Sequence, residues 1–86
     1  MQAIVTKYLG PTNFKGGRVK ASCQAKSIIV PWDNSRNIEN NHANAAHILA
    51  TKMGWYGSWV GGGMPNAGFC FVLADERMAT WFVVLK

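Results

Sequence analysis

Asn37-Ile38-Glu39-Asn40-Asn41-His42-Ala43-Asn44-Ala45-Ala46-His47-Ile48-Leu49-Ala50-Thr51-Lys52-Met53-Gly54 is the stretch on which the fold turns. Ile38, His42, Ala45, Ala46, Leu49 and Met53 recur at spacings of three and four, so they share one side of a helix. Glu39, Asn40, Asn44 and Lys52 fall mostly elsewhere on the wheel. The polar connection Trp32-Asp33-Asn34-Ser35-Arg36-Asn37 precedes it, and Ser35 or Asn37 supplies an oxygen to cap the first unpaired amides. Gly54 ends it, because glycine enters the left-handed conformation that closes a helix without a steric penalty. Four alanines between positions 43 and 50 raise helix propensity and let the backbone approach its partner layer closely. The prediction is one helix over about 37–53.

A single amphipathic helix needs something to cover, and the flanking sequence reads as strand on both sides. Residues 2–8 are short and β-branched, and they run into the turn-forming Leu9-Gly10-Pro11-Thr12-Asn13-Phe14-Lys15-Gly16-Gly17. Arg18, Lys20, Ser22 and Gln24 then alternate with Val19, Ala21, Cys23 and Ala25, the period of a strand with one wet and one buried face. Ser27-Ile28-Ile29-Val30-Pro31 follows closely enough to close a hairpin, although the turn at 24–26 carries no Asn-Gly or Asp-Gly pair. Beyond the helix, residues 57–60 and 68–73 read as two strands joined by a flexible turn, Gly61-Gly62-Gly63-Met64-Pro65-Asn66-Ala67.

The last segment, Thr80-Trp81-Phe82-Val83-Val84-Leu85, is continuously apolar and follows the charged turn Asp75-Glu76-Arg77. Left bare at a sheet edge it is an aggregation hazard, so it is either an added strand or an edge covered by a partner, including a second copy of the chain in a homodimer. The expected fold class is α+β: one domain over 1–86, elements in the order β-β-β-α-β-β with an extra C-terminal strand, and 75–86 readable as a C-terminal extension.

Composition narrows the class. Of the 86 residues 49% are hydrophobic and only 15% charged, which is enough apolar material for a core and too little charge for a disordered chain. No apolar run approaches the roughly 20 residues that span a bilayer. The N-terminus lacks the blocks of a signal peptide, so the expectation is no membrane and a cytoplasmic location. Cys23 and Cys70 are too few for a disulfide framework and read as reduced core residues.

Catalytic patterns are missing. His42 and His47 are separated by roughly 140° around a helix and cannot share one ion unaided. No Cys-x-x-Cys or His-Glu-x-x-His pattern is present, and no cofactor or metal is expected. His42 reads as a core-edge histidine hydrogen-bonded to a neighbouring strand. Asp75-Glu76 reads as a solvated turn, and the triple glycine is followed by Met-Pro-Asn rather than the Lys-Ser/Thr of a phosphate loop. The chain is expected not to be an enzyme.

The charge is lopsided. Lys7, Lys15, Arg18, Lys20, Lys26 and Arg36 face one acid, Asp33, in the first 36 residues, so the whole net charge of +5 resides there. Arg18 and Lys20 share a strand face and Lys7, Lys15 and Lys26 flank it, a pattern that suits phosphates and therefore nucleic acid. Trp32, Trp55 and Tyr56 fall at element boundaries, where aromatics either anchor interfaces or close the ends of thin cores. The candidate binding residues are thus Lys7, Lys15, Arg18, Lys20, Lys26, Trp32, Arg36, Trp55 and Tyr56.

Lys7-Tyr8-Leu9-Gly10-Pro11-Thr12-Asn13, Gly17-Arg18-Val19-Lys20-Ala21, Asn41-His42 with the alanine run, Met53-Gly54-Trp55 and Gly61-Gly62-Gly63 together resemble small uncharacterised proteins of phages, plasmids and other bacterial mobile elements. The likeness covers residues 1–73, and its most specific piece is the Tyr-Leu-Gly-Pro-Thr-Asn loop. The turn before Ser27 lacks the expected glycine, and the tail from Asp75 looks like an addition. The resemblance implies an accessory protein that inhibits a host defence system by occupying the surface of a host protein or nucleoprotein complex, as anti-CRISPR and antirestriction proteins do. It supplies no catalytic residue.

Overall fold

The computed structural model describes residues 3–10, 16–65, 68–73 and 80–85. The elements run β1 (Ala3–Leu9), β2 (Arg18–Ser22), β3 (Ser27–Pro31), α1 (Ile38–Met53), β4 (Gly57–Gly63), β5 (Phe69–Leu73) and β6 (Phe82–Val84). The strands form one antiparallel sheet in the order β3-β2-β1-β5-β4-β6. The β1 strand lies near the middle and joins the β2–β3 hairpin to the β4–β5 pair. Helix α1 leaves the β3 edge, crosses one face and returns the chain to β4. This is the expected α+β fold of a single helix on an antiparallel sheet, and the apolar tail enters that sheet beside β4 within the same chain.

Local chemistry sets the helix ends. Asn37 has extended backbone and its Oδ1 accepts from the Asn40 N–H at 2.7 Å, so the cap is Asn37 rather than Ser35. Gly54 closes the helix at φ 72°, in the left-handed region. Asn41 is buried and ties down the β3–α1 connection: its Oδ1 accepts from the Asp33 N–H at 2.9 Å, and its Nδ2 faces the carbonyls of Asp33, Arg36 and Asn37. At the other end of the apolar stripe the reading changes, because Ile38 is 61% exposed. As the first helical residue it stays outside the core and borders a cavity with Tyr8, Trp32 and His42.

The core divides its volume unevenly. The helix contributes Ala43, Ala45, Ala46, Leu49 and Ala50, while the sheet contributes Ile4, Val19, Ala21, Trp59, Phe71 and Val84. Small groups above and large rings below interdigitate, which is how a thin two-layer domain reaches interior packing density. The rings run on in a chain from Tyr8 through Trp32, His42, Phe69, Phe71, Phe82 and Trp59 to Trp55, with successive centroids 4.6–6.2 Å apart. Such contacts add to area burial.

Two sequence expectations are corrected. Gly61, Gly62 and Gly63 are not a turn: they extend β4, opposite Phe71, Cys70 and Phe69. The Phe71 ring lies so close over Gly61 that a Cβ there would run into it. Glycine is required because an aromatic ring from the next strand occupies the side-chain position. The β2 strand ends at Ser22 and the hairpin turns at Gln24-Ala25, within the turn expected at 24–26, with the Cys23 N–H donating to the Lys26 carbonyl at 2.8 Å. Both cysteines are half-buried rather than core residues, Cys23 at that turn and Cys70 on the sheet face away from the helix.

Candidate binding surface

One helix covers one face, so the register alone fixes what the other face shows. Val5 lies opposite Ser22 and Cys70, Lys7 opposite Lys20, Leu9 opposite Arg18, and Ile29 and Pro31 opposite Lys20 and Arg18. Val72 pairs with Ala3 and Val60, and Val83 with Ser58. Among the described residues no helix packs over these side chains. Ile29 is 53%, Val83 44% and Val5 39% exposed. Cations gather on the β3-β2-β1 half around Ile29, further aliphatics run across the β1-β5-β4-β6 half, and no Asp or Glu of the described strands interrupts either.

Lys7 and Lys20 are directly opposed across β1 and β2. Like charges in that position destabilise a sheet, so folding does not call for the pair. The described acids lie elsewhere. Glu39 is in the first helical turn, and Asp33 accepts from the Ser35 N–H at 2.9 Å and the Ser35 hydroxyl at 2.6 Å, with Arg36 3.5 Å away. The Ser35 hydrogen bonds, with the Arg36 charge behind them, hold the Asp33 carboxyl below its ordinary value.

The candidate residues therefore separate into groups. Lys7, Arg18 and Lys20 share the open face, and Lys26 sits exposed at the hairpin turn beside it. Trp32 and Arg36 lie on the β3–α1 connection, on the helix side. Trp32 packs edge-on against Tyr8 and His42. Trp55 stacks on Trp59, whose Nε1–H donates to the Trp55 carbonyl at 3.2 Å, and Tyr56 is exposed in the α1–β4 link. Lys15 lies outside the described residues.

Val5, Val60, Val72 and Val83 belong to the open face and escaped sequence reading. Their polarity points the wrong way. In β1 the exposed residue is Val5 and the buried one is Thr6, whose hydroxyl lies 2.7 Å from His42 Nδ1. That contact is the histidine-to-strand hydrogen bond expected of His42. Burial lowers the pKa of the imidazole and so favours its neutral form. A cavity of about 290 Å³ beside it is lined by Tyr8, Trp32, Ile38 and His42, with no described acid to pair with the ring.

His47 does something else. Its Nε2–H donates to the Val83 carbonyl at 3.1 Å and its ring meets Phe82 edge-on, so it fastens β6 to the helix. Among the described residues, no three His, Cys, Asp or Glu side chains come together as metal ligands. No described helix is long and apolar enough to cross a membrane. Comparison with protein-family models, with curated proteins and with solved structures finds no match to this chain.

Proposed function

We propose that this chain is a non-enzymatic binding protein whose open sheet face docks on an acidic patch of a partner protein. The observation that supports this reading is the make-up of that face: exposed Val5 and Ile29 beside Lys7, Lys20 and Arg18, with exposed Val83 at the far β6 edge and no described carboxylate among them. A half-solvated antiparallel sheet ordinarily carries a polar outer face. Aliphatic surface next to unneutralised cations suits a protein with an apolar centre and acidic rim, where charge complementarity steers encounter and fixes register. In the mobile-element setting that the resemblance implies, the partner is a host defence protein or nucleoprotein complex, and the activity is stoichiometric inhibition of the anti-CRISPR type.

Affinity purification from a bacterial lysate, with and without nuclease, tests this with the wild-type chain and a Lys7→Glu/Lys20→Glu variant. The expected result is a protein that survives nuclease, elutes with salt and is lost with the variant. Recovery of nucleic acid alone overturns the reading.

The opposed Lys7–Lys20 pair, with Arg18 on the same face and Lys26 at the turn, favours a second reading, a nucleic-acid-binding module that contacts phosphates. The described open face carries no aromatic ring on which single-stranded bases could stack, so this reading rests on charge alone. It requires affinity for DNA or RNA that falls with salt at a slope of about 0.7–0.9 per neutralised phosphate.

A further inference from the structure

At the end where β2 begins and β3 finishes, the hairpin borders a cavity of about 380 Å³ lined by Gly16, Gly17, Arg18, Pro31, Trp32 and Asn34. Arg18 and Pro31 are direct partners in the register, and the Trp32 N–H donates to the Gly17 carbonyl at 2.9 Å. Both walls are thereby held in place. Gly17 packs against Tyr8, since a Cβ on it would come within 2.9 Å of the Tyr8 hydroxyl, whereas a Cβ on Gly16 would meet nothing within 4 Å.

Arg18 gives this cavity chemical meaning. Its Nε is buried, and no described group accepts its proton. Buried donors in folded proteins are almost always satisfied, and an unmet one on a charged group is more costly than on a neutral one. Among the described residues no carboxylate lines the cavity. Asp33, between Trp32 and Asn34 in the chain, is engaged by Ser35 and Arg36. The fixed fork of a guanidinium matches the oxygens of a phosphate or carboxylate.

We propose that this cavity is a phosphate-group site with Arg18 as its anchor, and that its ligand is a phosphate monoester carrying a flat organic body, of the nucleoside monophosphate class. The volume stands at the lower end of small-molecule pockets and exceeds what a bare carboxylate fills. Trp32 and Pro31 provide an apolar wall for the body, Asn34 a polar side chain, and Arg18 the charge that a nearly dianionic group needs. Lys20, two residues along the same strand, adds positive field. The same monoester occurs on a free nucleotide and on the 5′ end of a nucleic-acid strand.

Arg18 also belongs to the docking face, so the two readings are told apart by their probes: small phosphates here, and retention of a protein by the wild type against the Lys7→Glu/Lys20→Glu variant there. The full chain is titrated at constant ionic strength with inorganic phosphate, adenosine monophosphate, and a short oligonucleotide with and without its 5′ phosphate. Amide shifts and thermal midpoints are recorded. Expected are saturable shifts at Gly17, Arg18 and Trp32 and a midpoint raised by adenosine monophosphate. Arg18→Lys weakens binding by about tenfold, because charge without the fork is retained. Arg18→Leu loses it while melting no lower than wild type without ligand, since it removes the orphaned donor. Equal affinity for nucleotide and phosphorylated strand assigns the free nucleotide, and tighter binding of the strand assigns the 5′ end. Undiminished binding by Arg18→Leu, or no saturable shift with any phosphate probe, overturns the proposal.

Discussion

His42 packs between Trp32 and Phe69, at ring separations of 6.2 and 4.6 Å, with Thr6 Oγ1 2.7 Å from its Nδ1. One of the two atoms supplies the proton of that bond, so the neutral ring is satisfied in the fold. Protonation would place a charge among aromatics, and burial accordingly lowers the folded pKa below the ordinary 6.5. The sign follows from proton uptake. Between the folded value and 6.5 the unfolded chain holds more protons than the folded one, so stability rises with pH across that window. The His42 contribution is therefore complete above 6.5 and is lost as pH falls through the window toward the folded value. Urea midpoints measured from neutral pH downward should decline in the wild type. In His42→Gln that part of the slope should disappear, whatever the variant does to absolute stability. An unchanged slope would show that the ring titrates as freely in the fold as in the unfolded chain.

At the scale of elements, the tail strand β6 is only three residues long, a length that cannot hold itself on an edge. Pairing with β4, the Trp81 N–H to the Trp59 carbonyl at 2.8 Å, and His47 on the Val83 carbonyl at 3.1 Å fix it from two sides. His47→Ala should speed hydrogen exchange at Phe82, Val83 and Val84 while leaving β1 and β2 unchanged, with a global loss of about 1 kcal/mol. Uniform acceleration across the sheet would mean that β6 and the core open together. The helix was legible in the sequence because its signals are local: spacing, Asn37 and Gly54. The length of β4 was not, because three glycines argue against a strand until Phe71, ten residues from Gly61, is known to lie across them. The inward turn of Thr6 escaped for the same reason, since its partner His42 is thirty-six residues away. Arg18 and Lys20 were legible as one face from their alternation. Lys7 joined them only once β1 was known to pair with β2 in this register.

For the whole molecule, the open face sets folding against binding, and that conflict can be measured. A sheet selected for stability alone would place an acid opposite Lys7, because opposite charges across an antiparallel pair contribute roughly 0.2–1 kcal/mol and like charges oppose folding. Lys20 stands there instead, with Arg18 on the same face two residues back. If the face is kept basic for a partner, Lys20→Glu should improve the fold and damage the function together. Its urea midpoint should rise by an amount worth a few tenths of a kcal/mol, shrinking in high salt as an exposed pair must, while retention of the protein partner falls at least tenfold. Lys26→Glu supplies the control, because Lys26 lies at the turn and is paired with Cys23 rather than with a cation. It changes net charge equally, so a loss confined to Lys20→Glu locates the contact on the sheet, whereas equal losses assign the effect to net charge alone. A Lys20→Glu chain that is less stable, or that holds its partner as well as wild type, would remove the reason for regarding this face as a binding surface.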